Sequence, residues 1–276
     1  MNLLQSKISI GAENLFEIFH ISDTHLTLAD ERDNERKREL AERRSKSFPA
    51  AESVLSAVIE LSRRQKIPVM CTGDLIDFVS EANLDAVKRS TFNEDFFTCA
   101  GNHEFSQYVG EAWEDETYRN QSLAKVQAVY SNNIRFASRV INGVNFVAVD
   151  NSYYLFEPAQ LECLKKEAAL GLPLVVMLHV PLYTPELFNY VMNELGHEDA
   201  GLMAVPEGLI RGYSDYRFRQ QNADRTTLEA YEYIMQEKSI RLVITGHLHF
   251  DYECSLPSGV TQLITGCETV RKISFC

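Results

Sequence analysis

The chain has 276 residues, 45% of them hydrophobic, enough apolar material for one sizeable core or two small ones. Its formal net charge of −12 disfavours tracking of extended nucleic acid and attachment to anionic membranes, since both partners reward a basic face. No apolar run approaches the roughly 20 residues a membrane-spanning helix needs, and the opening segment lacks the charged, apolar and small-residue zones of a signal peptide, so a cytoplasmic protein is expected.

Short, nearly continuous apolar runs occupy 15–22, 67–73, 96–101, 144–150, 172–180 and 240–247, a pattern that predicts strands buried on both faces. Amphipathic stretches alternate with them, as expected of an α/β domain. Val54, Leu55, Val58 and Ile59 recur at helical spacing, as do Leu161, Leu164 and Ala168, then Leu228, Tyr231 and Met235. Pro158 suits a helix first turn, Gly171 the position after a helix end, and Pro68 closes the helix ending near Lys66. The segment 30–47 mixes both signs of charge and reads as a solvated helix face, or alternatively as a cap beside a site. The stretch 182–224 resists strand or core-helix assignment, while 251–266 reads as two strands joined by a Pro-Ser-Gly turn at the edge of a second sheet. Six dispersed cysteines form no CxxC pair and are read as reduced, with Cys71 and Cys99 as buried structural thiols.

Groups able to bind metal recur at one structural position, immediately after a predicted strand. They are SDTH at 22–25, GDLID at 73–77, GNHE at 101–104, His179, and GHLH at 246–249. In an open α/β sheet the carboxyl ends of strands form the ligand crevice, so five segments converge on one place. Carboxylate, amide oxygen and imidazole together suit manganese, iron, zinc or cobalt better than calcium or magnesium. Each motif alone is a weak signal; the ordered set points to a metal site. The glycines before Asp74, Asn102 and His247 are expected to permit tight turns.

The series DxH, GDxxD, GNHE, His, GHxH resembles the calcineurin-like metallophosphoesterase superfamily, from Asp23 to His249. The resemblance implies a single domain with a four-layer α/β/β/α sandwich, two mixed sheets flanked by helices. It further implies a dinuclear centre of two divalent or trivalent transition-metal ions. Asp23, His25 and His249 would hold one ion, Asn102, His179 and His247 the other, and Asp74 would bridge them. His103 would be a general acid that is not a ligand, oriented by Asp77; an ordinary helix-start carboxylate is the alternative for Asp77. The implied reaction is hydrolysis of a phosphodiester or phosphomonoester by a metal-bridging hydroxide, which needs no side-chain nucleophile.

Departures narrow the expectation. Phe78 occupies the place where the superfamily's protein phosphatases carry arginine, and SDTHL replaces their GDxHG opening, which leans the reading toward bacterial phosphodiesterase-type members. GNHE in place of GNHD keeps the charge and decides nothing. A substrate or lid insertion is expected at 182–224, where arginines and tyrosines cluster, with a surface lobe or subunit contact as the alternative. Arg217, Arg219 and Tyr153 are the candidate contacts to a small phosphate-ester or nucleotide substrate. His20 and His197 stand outside the motifs and receive no role. Two other functions are weighed: an interaction scaffold, which should have lost ligands that are all filled here, and a nuclease, which should carry a basic surface.

Overall fold

In the computed structural model, which describes residues 2–11, 14–92, 94–110 and 116–276, eleven strands form two mixed sheets. The first sheet contains β1 (Asn2–Ile8), β2 (Phe16–Ile21), β3 (Val69–Cys71), β4 (Phe96–Thr98) and β11 (Thr269–Phe275), in the order β1-β11-β2-β3-β4. The second contains β5 (Phe136–Ile141), β6 (Val144–Val149), β7 (Leu174–Met177), β8 (Ile240–Thr245), β9 (Tyr252–Ser255) and β10 (Thr261–Ile264), in the order β5-β6-β7-β8-β10-β9.

Strand periodicity sorts the apolar side chains into three layers. On β2, Phe16 and Ile18 face the second sheet while Phe19 and Ile21 face helices; on β6, Phe146 and Ala148 face inward and Val147 and Val149 outward. The inter-sheet layer holds Met70, Cys99, Met177 and Ile244 as well. Outside the first sheet pack α2 (Ala51–Gln65) and α3 (Glu81–Thr91), with Val126 of α4 (Glu116–Gln127) in the same cluster. Outside the second pack α5 (Pro158–Ala168) and α9 (Arg225–Gln236). This is the expected α/β/β/α sandwich. Cys71 and Cys99 are buried within it.

All six predicted strands form, and 251–266 supplies β9 and β10 at the sheet edge. Pro158 opens α5, Lys66 closes α2 in the left-handed conformation, and Gly171 follows α5 at φ +72°. Three strands carry no long apolar run and escape sequence reading. β1 and β5 are sheet edges with every second side chain exposed, and β11 buries a charged residue, Arg271, at its centre. The stretch 182–224 carries short helical pieces between irregular segments: α6 (Pro185–Asn189), a π-turn at Tyr190–Glu194, α7 (Glu207–Ile210) and α8 (Asp215–Gln221). Pieces this short are too brief for helical periodicity to register. Their apolar faces gather around Leu187, Val191, Leu202 and Ile210, against Cys254 of β9 and Ile264 of β10. Among the described residues no helix is long and apolar enough to cross a membrane.

Candidate metal centre

β2, β3 and β4 run parallel, as do β6, β7 and β8, so the loops after β2, β3, β4, β7 and β8 can all carry donors to one rim. The approach is close. A Cβ on Gly101 would lie 2.2 Å from Asp74 Oδ1, and one on Gly246 would lie 2.3 Å from Asp23 Oδ2. Of the three motif glycines, only Gly73 adopts positive φ (+91°), so Gly101 and Gly246 serve proximity rather than turn geometry. The left-handed conformation falls instead on Asp23, His25, Asp74, His247 and His249, all with φ between 50° and 69°. Non-glycine residues hold such angles at a cost of about 1 kcal/mol or more each, and strain of this kind clusters at functional sites.

Every expected ligand reaches the rim. His25 Nδ1 donates to Asp77 Oδ1 at 3.0 Å, which leaves its Nε2 lone pair 3.0 Å from His249 Nε2. Asp23 Oδ1, fully buried, lies 3.8 Å from His25 Nε2 and 3.5 Å from His249 Nε2, too far for hydrogen bonds, and has no hydrogen-bond partner among the described residues. On the other side His179 Nδ1 donates to Thr72 O at 2.7 Å. Its Nε2 therefore faces Asn102 Oδ1 at 3.0 Å, His247 Nδ1 at 3.2 Å and Asp74 Oδ2 at 3.3 Å. His247 Nε2 meets the Tyr154 hydroxyl at 2.7 Å, which turns Nδ1 toward that cluster. Asp74 Oδ2 lies 3.6 Å from His25 Nε2 as well, so one carboxylate stands between the two groups.

Asp23, His25 and His249 offer donor atoms within 4.8 Å of one another, and so do Asp23, Asp74 and His179. With its Nδ1 committed, His179 Nε2 faces two acceptor oxygens, and Asp23 Oδ1 is buried without a donor; both arrangements fit bound cations. The charge balance agrees. Burial alone would push the imidazoles down, yet the Asp74 carboxylate lifts His179 to about 9, and Asp23 and Asp77 likewise raise His25. Burial and the charge of His179 drive His247 down to about 3.

His103, on a short turn (His103–Phe105) after β4, points Nδ1 at the Asp77 carbonyl oxygen (2.8 Å) with the Asp77 carboxylate at 3.2 Å. The carboxylate of Asp77 is nearer to His25, and it is not a helix start, since α3 is capped by Ser80. Arg44 grips it bidentately, Nε to Oδ2 at 2.7 Å and Nη2 to Oδ1 at 2.8 Å. Arg44 ends α1 (Glu35–Arg44), the charged segment, and Phe48 just beyond stacks on His25 with centroids 4.1 Å apart. Its exposed face is solvated as expected, yet its last turn reaches the site.

Glu104 does more than carry a charge, a role its motif does not signal. Its carboxylate accepts from the backbone N–H groups of Asp74, Leu75 and Gly101 at 2.6–2.7 Å and from the Tyr130 hydroxyl at 3.1 Å. Burial first, then the neighbouring Asp74 charge, raises its pKa. An aspartate is one methylene shorter. His20 is buried beneath the rim between Thr72 and Thr265. Its Nδ1 meets the Thr265 hydroxyl at 2.8 Å and its Nε2 the Thr72 hydroxyl at 2.9 Å, while Thr265 Oγ1 accepts from Arg271 Nε at 3.0 Å.

The cleft over these groups is walled by His103, Tyr154, residues 197–201 and Arg217, and His249 is 41% exposed at its mouth. Arg217 is paired with Asp199 at 3.1 Å. Tyr153 and Arg219 do not line this cleft; both line a neighbouring cavity.

Solved structures resemble the chain in fold. Structures similar to the chain include a dimetal phosphatase from Danio rerio, at 13% identity and a TM-score of 0.50, covering 91% of this chain and 88% of that one. The phosphopantetheinyl hydrolase of Mycobacterium tuberculosis is similar at 13% identity and a TM-score of 0.44, with coverages of 95% and 90%. For the NAD nucleotidase of Haemophilus influenzae the values are 12% and 0.45, and this chain spans under half of it, 92% against 45%. No curated protein matches the sequence. The model of the family described as calcineurin-like phosphoesterase matches residues 16–251, and the chain belongs to that family.

Proposed function

We propose that this protein is a cytoplasmic hydrolase of small phosphate esters whose centre holds two transition-metal ions, manganese, iron or zinc. Asp23, His25 and His249 hold one, Asn102, His179 and His247 the other, and Asp74 is shared. The observation that carries this reading is Asp23 Oδ1, buried without a hydrogen-bond donor and flanked by the Nε2 atoms of His249 and of His25, whose Nδ1 is already committed to Asp77. Bound there, such ions supply an acidified water and a clamp for phosphoryl oxygens.

The chain's own groups do the rest. His103 keeps its Nδ1 proton on the Asp77 carbonyl, so Nε2 is the nitrogen that passes a proton to the leaving oxygen. Asp77, clamped by Arg44, fixes the ring of His25 and so the direction of its ligating lone pair. Arg217, half-buried on the cleft wall and held by Asp199, is the side chain placed to meet a phosphate oxygen. The lobe 182–224 acts in this reading as the substrate wall, since 197–201 and Arg217 belong to it. Phe78 is fully buried against Leu40 and Ala41 and offers the phosphate nothing, which supports the leaning away from phosphoprotein substrates.

The test is a metal-reconstituted assay on p-nitrophenyl phosphate, bis-p-nitrophenyl phosphate, cyclic nucleotides, nucleoside monophosphates and single-stranded DNA. Hydrolysis of the small esters, with two metals bound per chain, is expected. Two bound metals and no hydrolysis of any of them would overturn the reading and favour a scaffold.

A further inference from the structure

Beside the metal cleft lies a second cavity, of about 350 Å³. The two share walls. Tyr154 faces the cleft, where its hydroxyl meets His247, while its neighbour Tyr153 faces the second cavity. α8 divides them in the same way: Arg217 borders the cleft, and Tyr216, Arg219 and Gln220, which share a helix face by their spacing, border the cavity. The Tyr153 ring lies 6.4 Å from that of Phe105, two residues beyond His103, and 5.3 Å from the Arg119 guanidinium.

The floor of this cavity neutralises itself. Arg119 and Arg135 reach Glu157 Oε1 at 3.0 and 2.5 Å, and Arg135 Nε lies 2.6 Å from Asp150 Oδ2. Over that floor the walls are aromatic or aliphatic: Tyr153, Leu155, Phe156, Pro158 and Tyr216. The lining carboxylates of Glu116, Asp150, Glu157 and Asp224 outnumber the three arginines at the cavity, Arg119, Arg219 and the floor's Arg135, so a second phosphate is not favoured there. A flat, uncharged group suits such walls, and the volume admits one ring system rather than a large ligand.

We infer that this cavity is the subsite for the organic part of the substrate and takes a neutral planar ring of nucleobase size, next to the cleft that takes the phosphate. The inference rests on the phosphoesterase reading of that cleft. Specificity is then divided by α8, Arg217 serving the anion and Tyr216 the ring.

Adenosine, which has the ring but no phosphate, is the probe, followed by saturation-transfer NMR with the full chain. Saturation of its base protons is expected in the wild type and in His103→Ala, and its loss in Leu155→Trp, whose indole would fill the cavity; Leu155 is 39% exposed, so the core is spared. Tyr216→Ala, on the partly exposed face of α8, should weaken binding about tenfold. No saturation in the wild type, or saturation undiminished from the wild type in both cavity variants, would overturn the inference. With metal loaded, Tyr216→Ala should raise KM for adenosine 5′-phosphate about tenfold while KM for glycerol phosphate stays within about twofold; equal changes for both esters would also overturn it. Failure of the phosphoesterase reading looks different: no ester is cleaved, yet adenosine binding and its loss in Leu155→Trp persist.

Discussion

Two histidines show how identical side chains are set to opposite tasks by what touches them. His103 has one nitrogen committed to the Asp77 carbonyl and sits at the cleft wall. Removing it in His103→Ala should leave two metals per chain by elemental analysis, while turnover of esters with poor leaving groups falls about 10²–10⁴-fold and activated p-nitrophenyl esters suffer less. Loss of a metal would make it a ligand instead. His20 is buried between two hydroxyls, and burial together with the Arg271 charge lowers it from 6.5 to about 3. Below pH 6.5 the unfolded imidazole takes up a proton that the folded one refuses, so stability is full above that pH and falls by about 1.4 kcal/mol per pH unit toward pH 3. His20→Gln keeps a donor and an acceptor but cannot titrate. Urea unfolding at pH 6.5 and 5.0 should therefore show the wild type losing roughly 2 kcal/mol more than the variant; equal losses would mean His20 is protonated in the fold.

At the scale of elements, the site depends on loops being held at strained angles, and two side chains hold them. Glu104 ties the loops after β3 and β4 together through three backbone N–H groups. Glu104→Gln replaces an accepting oxygen with a donor that faces a backbone donor, so a destabilisation of about 2–4 kcal/mol is expected by urea titration, with weakened binding of both metals. Arg44 brings the end of α1 onto Asp77, whose side chain is fully buried. Arg44→Ala strands that carboxylate. Because the guanidinium is partly solvated, the stability loss should be modest, about 1–3 kcal/mol. Arg44→Lys restores charge without the two-pronged grip and should recover only part of the activity, with kcat affected more than KM.

At the scale of the whole molecule, the two sheets have separate cores outside and one core between, and the donors sit where both sheets end. Cations held there would bridge residues of the first sheet, such as Asp23 and Asn102, and of the second, such as His179 and His247. Chelation should therefore lower the melting temperature, and metal at about a hundred times its Kd should restore roughly 2.7 kcal/mol. A melting temperature indifferent to chelator would argue against a site spanning both sheets.

The sequence by itself determined the candidate donor groups and their order, because coordination demands particular atoms and each such group follows a strand whose two buried faces make it legible. It likewise determined the inner strands and the long amphipathic helices, whose periods are long enough to read. Only the tertiary structure decided that Arg44 grips Asp77 from 33 residues away in the chain, that Glu104 braces the loops around Asp74, and that Tyr153 and Tyr154 face different cavities. Edge strands and four- to seven-residue helices were unreadable for a related reason. Their places come from contacts between distant segments, and such contacts leave no period and no motif in the chain that makes them.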